Sequence, residues 1–213
     1  SFNHQTQEYM KVEGDIDFVK WLSPDETSNY IFAKLYAQTG NISIQEDYNL
    51  YTKDIMHPRS FRSDFGTLKP VSFLGIILIY GKIASIFGYK IIPYLTPLIA
   101  AVSIFFFFLL IRKIFDKNVA FISAVILSCF PAYTYYSARS MFHNVLLVDM
   151  LIIGTYFGII MVERRDKGDG KLRSDWLGMI FASLSGFFIG LGVISRVSEL
   201  LWILPVMALV WVF

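Results

Sequence analysis

Six apolar stretches fill residues 70–213, at 70–88, 91–111, 118–137, 145–162, 176–195 and 200–213. A helix needs about 20 apolar residues to cross the hydrocarbon layer. Backbone groups in lipid are satisfied only within a helix or a closed barrel. No stretch alternates with period two, so each is read as a helix. The fold class is therefore all-α: a polytopic membrane helix bundle behind a polar first loop that carries juxtamembrane helices. A charged content of 17% agrees, since soluble domains are nearer about 25%.

Two regions follow from the pattern. Residues 1–69 form an extracytoplasmic loop with 7 Lys/Arg against 10 Asp/Glu, and residues 70–213 form the membrane bundle with 12 against 7. An acidic head and a basic membrane part give no case for nucleic acid. The chain opens at Ser1 without methionine and stops at Phe213 inside an apolar run, so a fragment incomplete at both ends is expected. Cys129 lies inside an apolar helix and reads as a small core residue.

Basic residues orient the bundle. Arg112, Lys113 and Lys117 follow the second stretch, and Arg164, Arg165, Lys167, Lys171 and Arg173 follow the fourth. Both loops face the cytoplasm under the positive-inside bias. The loops at Arg139–Asn144 and Arg196–Glu199 then face outside. With residues 1–69 also outside, helix 70–88 makes no full crossing. Lys82 near its middle fits an interfacial or re-entrant helix, because a lysine at the bilayer centre costs a few kcal/mol.

Residues 24–39 read as an amphipathic helix. Ser23 suits the N-cap, Pro24 the first position and Glu26 the third, with Ile31, Phe32, Leu35 and Tyr36 following and Gly40 as the stop. Residues 41–68 show no periodicity, and long ordered loops of this kind are often functional.

Asp25 and Glu26 are the catalytic candidates. Acids in a first turn also offset the helix dipole, but a carboxylate at a lipid interface is placed for general-base work. Substrate-binding candidates are Lys69, Arg139, His143, Asn144, Arg196 and Glu199. Arg139 and His143 share a face if the segment is helical, and Arg196 and Glu199 are spaced to pair. Asp149 is an ionisable group inside a membrane helix, a functional candidate that also suits a hydrogen bond within the bundle. His57, Arg59, Glu46, Asp47, Asp54 and Asp64 read as loop polarity. No metal-ligand spacing is present, so no metal residue is named.

The order of these motifs resembles the C-type polytopic membrane glycosyltransferases. The branch is that of the dolichyl-phosphate-mannose protein mannosyltransferases and the bacterial lipid A aminoarabinose transferases. Asp25-Glu26 followed by Tyr30 and Ala33 is similar to the family's Asp-Glu turn in its first outer loop. Lys69-Pro70 with the trailing Phe87-Gly88 is similar to its Lys-Pro-Pro-Leu boundary, and Ile92-Pro93 to its Arg-Leu-Pro helix start. Ala138-Arg139 through Leu146-Leu147 matches the segment with the second acidic residue, and Gly190-Leu191 to Arg196 the Gly-Leu…Thr-Lys-Gly stretch. Asn144 stands where many relatives have Asp, Val71 replaces the second proline, and Arg196-Val197 replaces Lys-Gly. Leu68 stands where aminoarabinose transferases have an acid.

The resemblance implies an inverting transfer of a sugar from a polyprenyl-phosphate carrier to an acceptor protein, lipid or glycan outside the cytoplasm. Asp25 would be the general base, and Lys69, Arg139 and Arg196 would bind the lipid phosphate. It implies a multi-pass protein in the plasma membrane and leaves a divalent metal open as cofactor, since members of the superfamily differ. The alternative is a non-catalytic lipid-linked sugar transporter or carrier-binding protein, which needs the basic cluster but not Asp25.

Overall fold

The computed structural model describes residues 2–3, 8–9, 21–167 and 176–212; Lys171 and Arg173 of the orientation argument lie outside them. Strands β1 (Phe2–Asn3) and β2 (Glu8–Tyr9) pair antiparallel. Helix α1 (Pro24–Thr39) follows, then β3 (Ile44–Gln45), the short helix α2 (Asp47–Tyr51), β4 (Phe61–Asp64) and β5 (Thr67–Pro70). The apolar part holds α3 (Leu74–Phe87), α4 (Ile92–Ile114), α5 (Lys117–Cys129), α6 (Pro131–Arg139), α7 (His143–Lys167), α8 (Trp176–Ser195) and α9 (Leu200–Val212).

The α1 boundaries follow the sequence signals. Ser23 accepts from the Asp25 amide, Glu26 returns to the Ser23 amide, and Gly40 closes the helix at φ 75° with its N–H on Tyr36 O. The buried face differs from the expected apolar stripe. Phe32 and Ala33 are buried beside the polar Glu26, Ser28 and Asn29, while Ile31, Leu35 and Tyr36 are only half-buried. Those polar groups point at hydrogen-bond partners on later elements, which period alone does not reveal.

Residues 41–68, aperiodic in sequence, hold a small antiparallel sheet of order β3-β5-β4. Its strands are too short for alternation to register. The β4–β5 turn places Phe65 at φ 49° and Gly66 at φ 74°, as a two-residue hairpin of this hand requires. Asp54 holds that turn by accepting from Ser63 Oγ (2.6 Å), Gly66 N (2.8 Å) and Phe65 N (2.9 Å). The Ser63 hydroxyl, then the Gly66 amide, keep its carboxyl below the usual carboxylate range.

Among the described residues, three helical segments are long and apolar enough to cross a membrane: Tyr89–Ile114, His143–Arg164 and Trp176–Ser195. The expected single helix 118–137 is instead α5 and α6, bent by 58° at Phe130. Pro131 is the cause: it lacks an N–H and pushes the preceding residue out of the helical region, and Phe130 sits at φ −65°, ψ 117°. The pair counts as a fourth, broken span. Cys129 is exposed at the end of α5 and is not a core residue. Only Ala120 and Ala124 of α5 are buried, and Cys129 falls off that stripe.

Helices α7 and α8 run antiparallel and close together, since a Cβ on Gly154 would meet Ile189 Cγ1 at 2.7 Å. Helix α4 runs parallel to α7: Thr96 bonds the Ser140–Met141 segment, and Lys113 bonds Glu163 at the far end. Helix α3, 14 residues long, spans about 21 Å against about 30 Å of hydrocarbon. Gly75 packs on the end of α8, Tyr80 bonds Thr96 near the start of α4, and α4 begins soon after α3 ends. Helix α3 thus lies across one end of the bundle.

Gly75 makes that placement possible. A Cβ there would lie 2.2 Å from Ile194 O and 2.7 Å from Ser195 Cα, backbone atoms that cannot step aside. Gly75→Ala is expected to lower stability by at least about 1–3 kcal/mol, as overpacking does. Thermal unfolding of the purified protein in detergent reads this; an unchanged midpoint would mean that α3 does not rest on α8.

Candidate active site

The start of α1 presents two neighbouring carboxylates in opposite settings. Glu26 is 1% exposed. Its Oε2 accepts from Ser23 N (2.8 Å), Leu22 N (3.1 Å) and Arg139 Nη2 (2.9 Å). Asp25 is exposed, and its Oδ1 accepts from the Ser60 hydroxyl. Ser60 stands just before β4, and its carbonyl accepts from Ser28 Oγ (2.9 Å) and Val71 N (3.3 Å). The hairpin therefore anchors the residue that holds Asp25.

Arg139, the last residue of α6, bridges this corner to the bundle. Besides Glu26 it contacts the rings of Tyr135 and Phe142, each 5.1 Å from its guanidinium carbon, a cation–π arrangement. Nη1 donates to the Tyr135 hydroxyl, and the buried Nε has no hydrogen-bond partner among the described residues. The expectation that Arg139 and His143 share a helical face is corrected. Ser140 (φ 62°, ψ 170°) and Met141 (φ 57°) break the helix between them. His143 instead packs on Phe73 at 4.9 Å between ring centres and lies within electrostatic reach of Arg196, Asp25 and Glu199.

Arg196 donates through Nη1 to Asn144 Oδ1 at 2.7 Å. Its Nε lies 2.9 Å from Glu199 Oε1, an ion pair without hydrogen-bond alignment. Glu199 is also bonded by the Trp202 indole. The pairing of Arg196 with Glu199 agrees with their spacing. Lys69 is exposed on β5 and pairs with Asp64 at 3.3 Å. No direct contact ties it to Arg139, but it sits opposite Arg62 on the ladder that continues to Ser60.

One end of the bundle thus collects Asp25, Glu26, Arg139, His143, Asn144, Arg196 and Glu199. Its two arginines are each matched by one acid, Arg139 by Glu26 and Arg196 by Glu199, which fixes the side chains without using all their donors. Among the described residues, no group of three or more His, Cys, Asp or Glu side chains converges as a metal site.

Asp149 is separate and fully buried in α7. Its Oδ1 accepts from the Tyr133 hydroxyl at 2.7 Å, and the same hydroxyl is 3.2 Å from Ala100 O. It ties α6 to α4 and α7. Sequence reasoning missed Ser60, Tyr135, Thr96 and Asn29. Ser60 lies in the aperiodic loop and the others inside helical patterns, where a hydroxyl or amide carries no signal until its partner is known.

The arrangement is that of a multi-pass membrane protein with a charged corner where α1 and the β4–β5 hairpin meet one end of the bundle. The profile of the family described as dolichyl-phosphate-mannose-protein mannosyltransferase matches residues 71–213. The chain belongs to that family, a C-type polytopic membrane glycosyltransferase that uses a polyprenyl-phosphate sugar. The match covers Arg139, His143, Asn144, Arg196 and Glu199 and stops short of Asp25, Glu26 and Lys69. No curated protein and no solved structure matches the chain significantly.

Proposed function

We propose that the chain transfers a mannosyl group from a polyprenyl-phosphate carrier to a hydroxyl of an acceptor protein outside the cytoplasm, with inversion. The family's description as dolichyl-phosphate-mannose-protein mannosyltransferase supports mannose as the sugar and a protein as the acceptor. The observation that carries the site is the contrast at residues 25 and 26. Glu26 is buried, with its Oε2 engaged by Arg139 and two amides, whereas Asp25 is exposed beside Ser60.

Asp25 then takes the acceptor proton as the acceptor oxygen bonds to the anomeric carbon. The bond from that carbon to the carrier phosphate oxygen breaks, and the electron pair leaves with the polyprenyl phosphate. Arg139 and Arg196 face the growing charge on the leaving phosphate, where charge-assisted bonds count most. Lys69 adds a point charge from the hairpin. Glu26 positions Arg139, and Glu199 with Asn144 positions Arg196. Residues 1–69 act as the extracytoplasmic loop over a bundle beginning near residue 70, and α3 lies at the outer interface beside the carrier.

A single displacement leaves a stereochemical mark. Proteoliposomes given polyprenyl-phosphate mannose and an acceptor peptide should yield product of opposite anomeric configuration to the donor, read by NMR. Retained configuration would exclude the single in-line displacement and would remove Asp25 as its base.

A further inference from the structure

The segment joining Arg139 to His143 and Asn144 is the most strained described stretch of the site. Ser140 at φ 62°, ψ 170° occupies a region that glycine alone visits freely, and Met141 follows at φ 57°. Neither is glycine, so surrounding contacts must hold this conformation. They converge on one hydroxyl. Thr96 Oγ1 accepts from Ser140 Oγ and from Met141 N, both at 3.2 Å, and lies 2.8 Å from the Tyr80 hydroxyl. A threonine hydroxyl has two lone pairs and one proton. Ser140 and Met141 fill the lone pairs, and the proton is left for Tyr80.

The clamp is completed from the first loop, where Asn29 Nδ2 donates to Met141 O at 3.0 Å. Tyr80 and Asn29 are 0% exposed, Thr96 and Met141 1%, and Ser140 2%, so no solvent competes for these bonds. Helices α1, α3 and α4 thus meet on a two-residue turn. The turn carries Arg139 on one side and His143 with Asn144 on the other.

We infer that Thr96 is a positioning residue for donor-phosphate binding, acting through the Ser140–Met141 turn on Arg139 and on the Asn144–Arg196 pair. This rests on the proposal that those arginines hold the carrier phosphate. Thr96 touches no substrate. Its hydroxyl fixes the angle at which α6 delivers Arg139 and the register at which α7 delivers Asn144.

Thr96→Val keeps shape and removes all three bonds, while Thr96→Ser keeps the hydroxyl. In full-length protein in liposomes, with polyprenyl-phosphate mannose as donor, Thr96→Val should raise the donor KM by about 10- to 100-fold, the scale of an ångström-sized misplacement. The kcat at saturation should change little, and Thr96→Ser should restore the wild-type KM. Arg196→Met is run beside them as the test of phosphate binding itself.

A wild-type KM for Thr96→Val with a raised one for Arg196→Met overturns the role of Thr96 and leaves the phosphate reading standing. Wild-type values for both overturn the phosphate reading. Equal losses in Thr96→Val and Thr96→Ser, or a fall in kcat at constant KM, also overturn the inference. Should Thr96→Val fail to insert, Ser140→Ala decides: it removes one of the three bonds and should raise KM in the same direction, and an unchanged KM overturns the role.

Discussion

Asp25→Asn should lower transfer by at least about 100-fold, within the range a positioned general base supplies, while donor binding stays near wild type. The substitution is nearly isosteric, and Asp25 is exposed with a single described hydroxyl partner. An asparagine there still accepts from Ser60 through its carbonyl oxygen, so α1 and the hairpin keep their contact. What is lost is the ability to take a proton. Glu26 cannot substitute, because its Oε2 already accepts three bonds and its Oε1 is buried, with no hydrogen-bond partner among the described residues. Turnover in proteoliposomes with parallel donor-binding measurements reads this outcome, and transfer at the wild-type rate would remove the assigned role.

Arg139→Ala carries the largest expected loss of stability. Glu26, 1% exposed, would keep its charge without a counter-ion, and leaving a buried charge unpaired is strongly destabilising. The rings of Tyr135 and Phe142 would lose their cation as well. Removing both charges differs from removing one. Glu26→Gln combined with Arg139→Met should recover part of the loss, because no uncompensated buried charge remains. Thermal unfolding of the three proteins in detergent gives the coupling; a double variant no more stable than Arg139→Ala would show that the pair is not the source.

Periodicity and capping made the helices readable. Ser23, Glu26 and Gly40 bound α1 by local hydrogen bonds, and local rules travel well from sequence. The break at Phe130 was also written locally, in Pro131, but twenty apolar residues outweighed one proline in a hydropathy reading. The small sheet was illegible because its strands are two to four residues long. Its hairpin depends on Asp54 reaching across eleven or twelve residues to Phe65 and Gly66.

The site was legible as residues and not as pairings. Arg196 and Glu199, three apart, announced their ion pair. Glu26 and Arg139, 113 positions apart, did not. The helical spacing of Arg139 and His143 misled for a physical reason: Ser140 and Met141 lie at positive φ, bonded to Thr96 and Asn29 from distant elements. No propensity of serine or methionine foretells that.

Single-turnover transfer from a labelled, pre-bound polyprenyl-phosphate mannose, comparing wild type, Asp25→Asn and Glu26→Gln, tests the division of labour between the two carboxylates most directly. The account predicts that Asp25→Asn holds the donor and transfers none of it on the wild-type timescale. Glu26→Gln should bind the donor more weakly yet transfer what it binds. Transfer by Asp25→Asn together with a silent, donor-saturated Glu26→Gln would place the base at Glu26 and contradict the account.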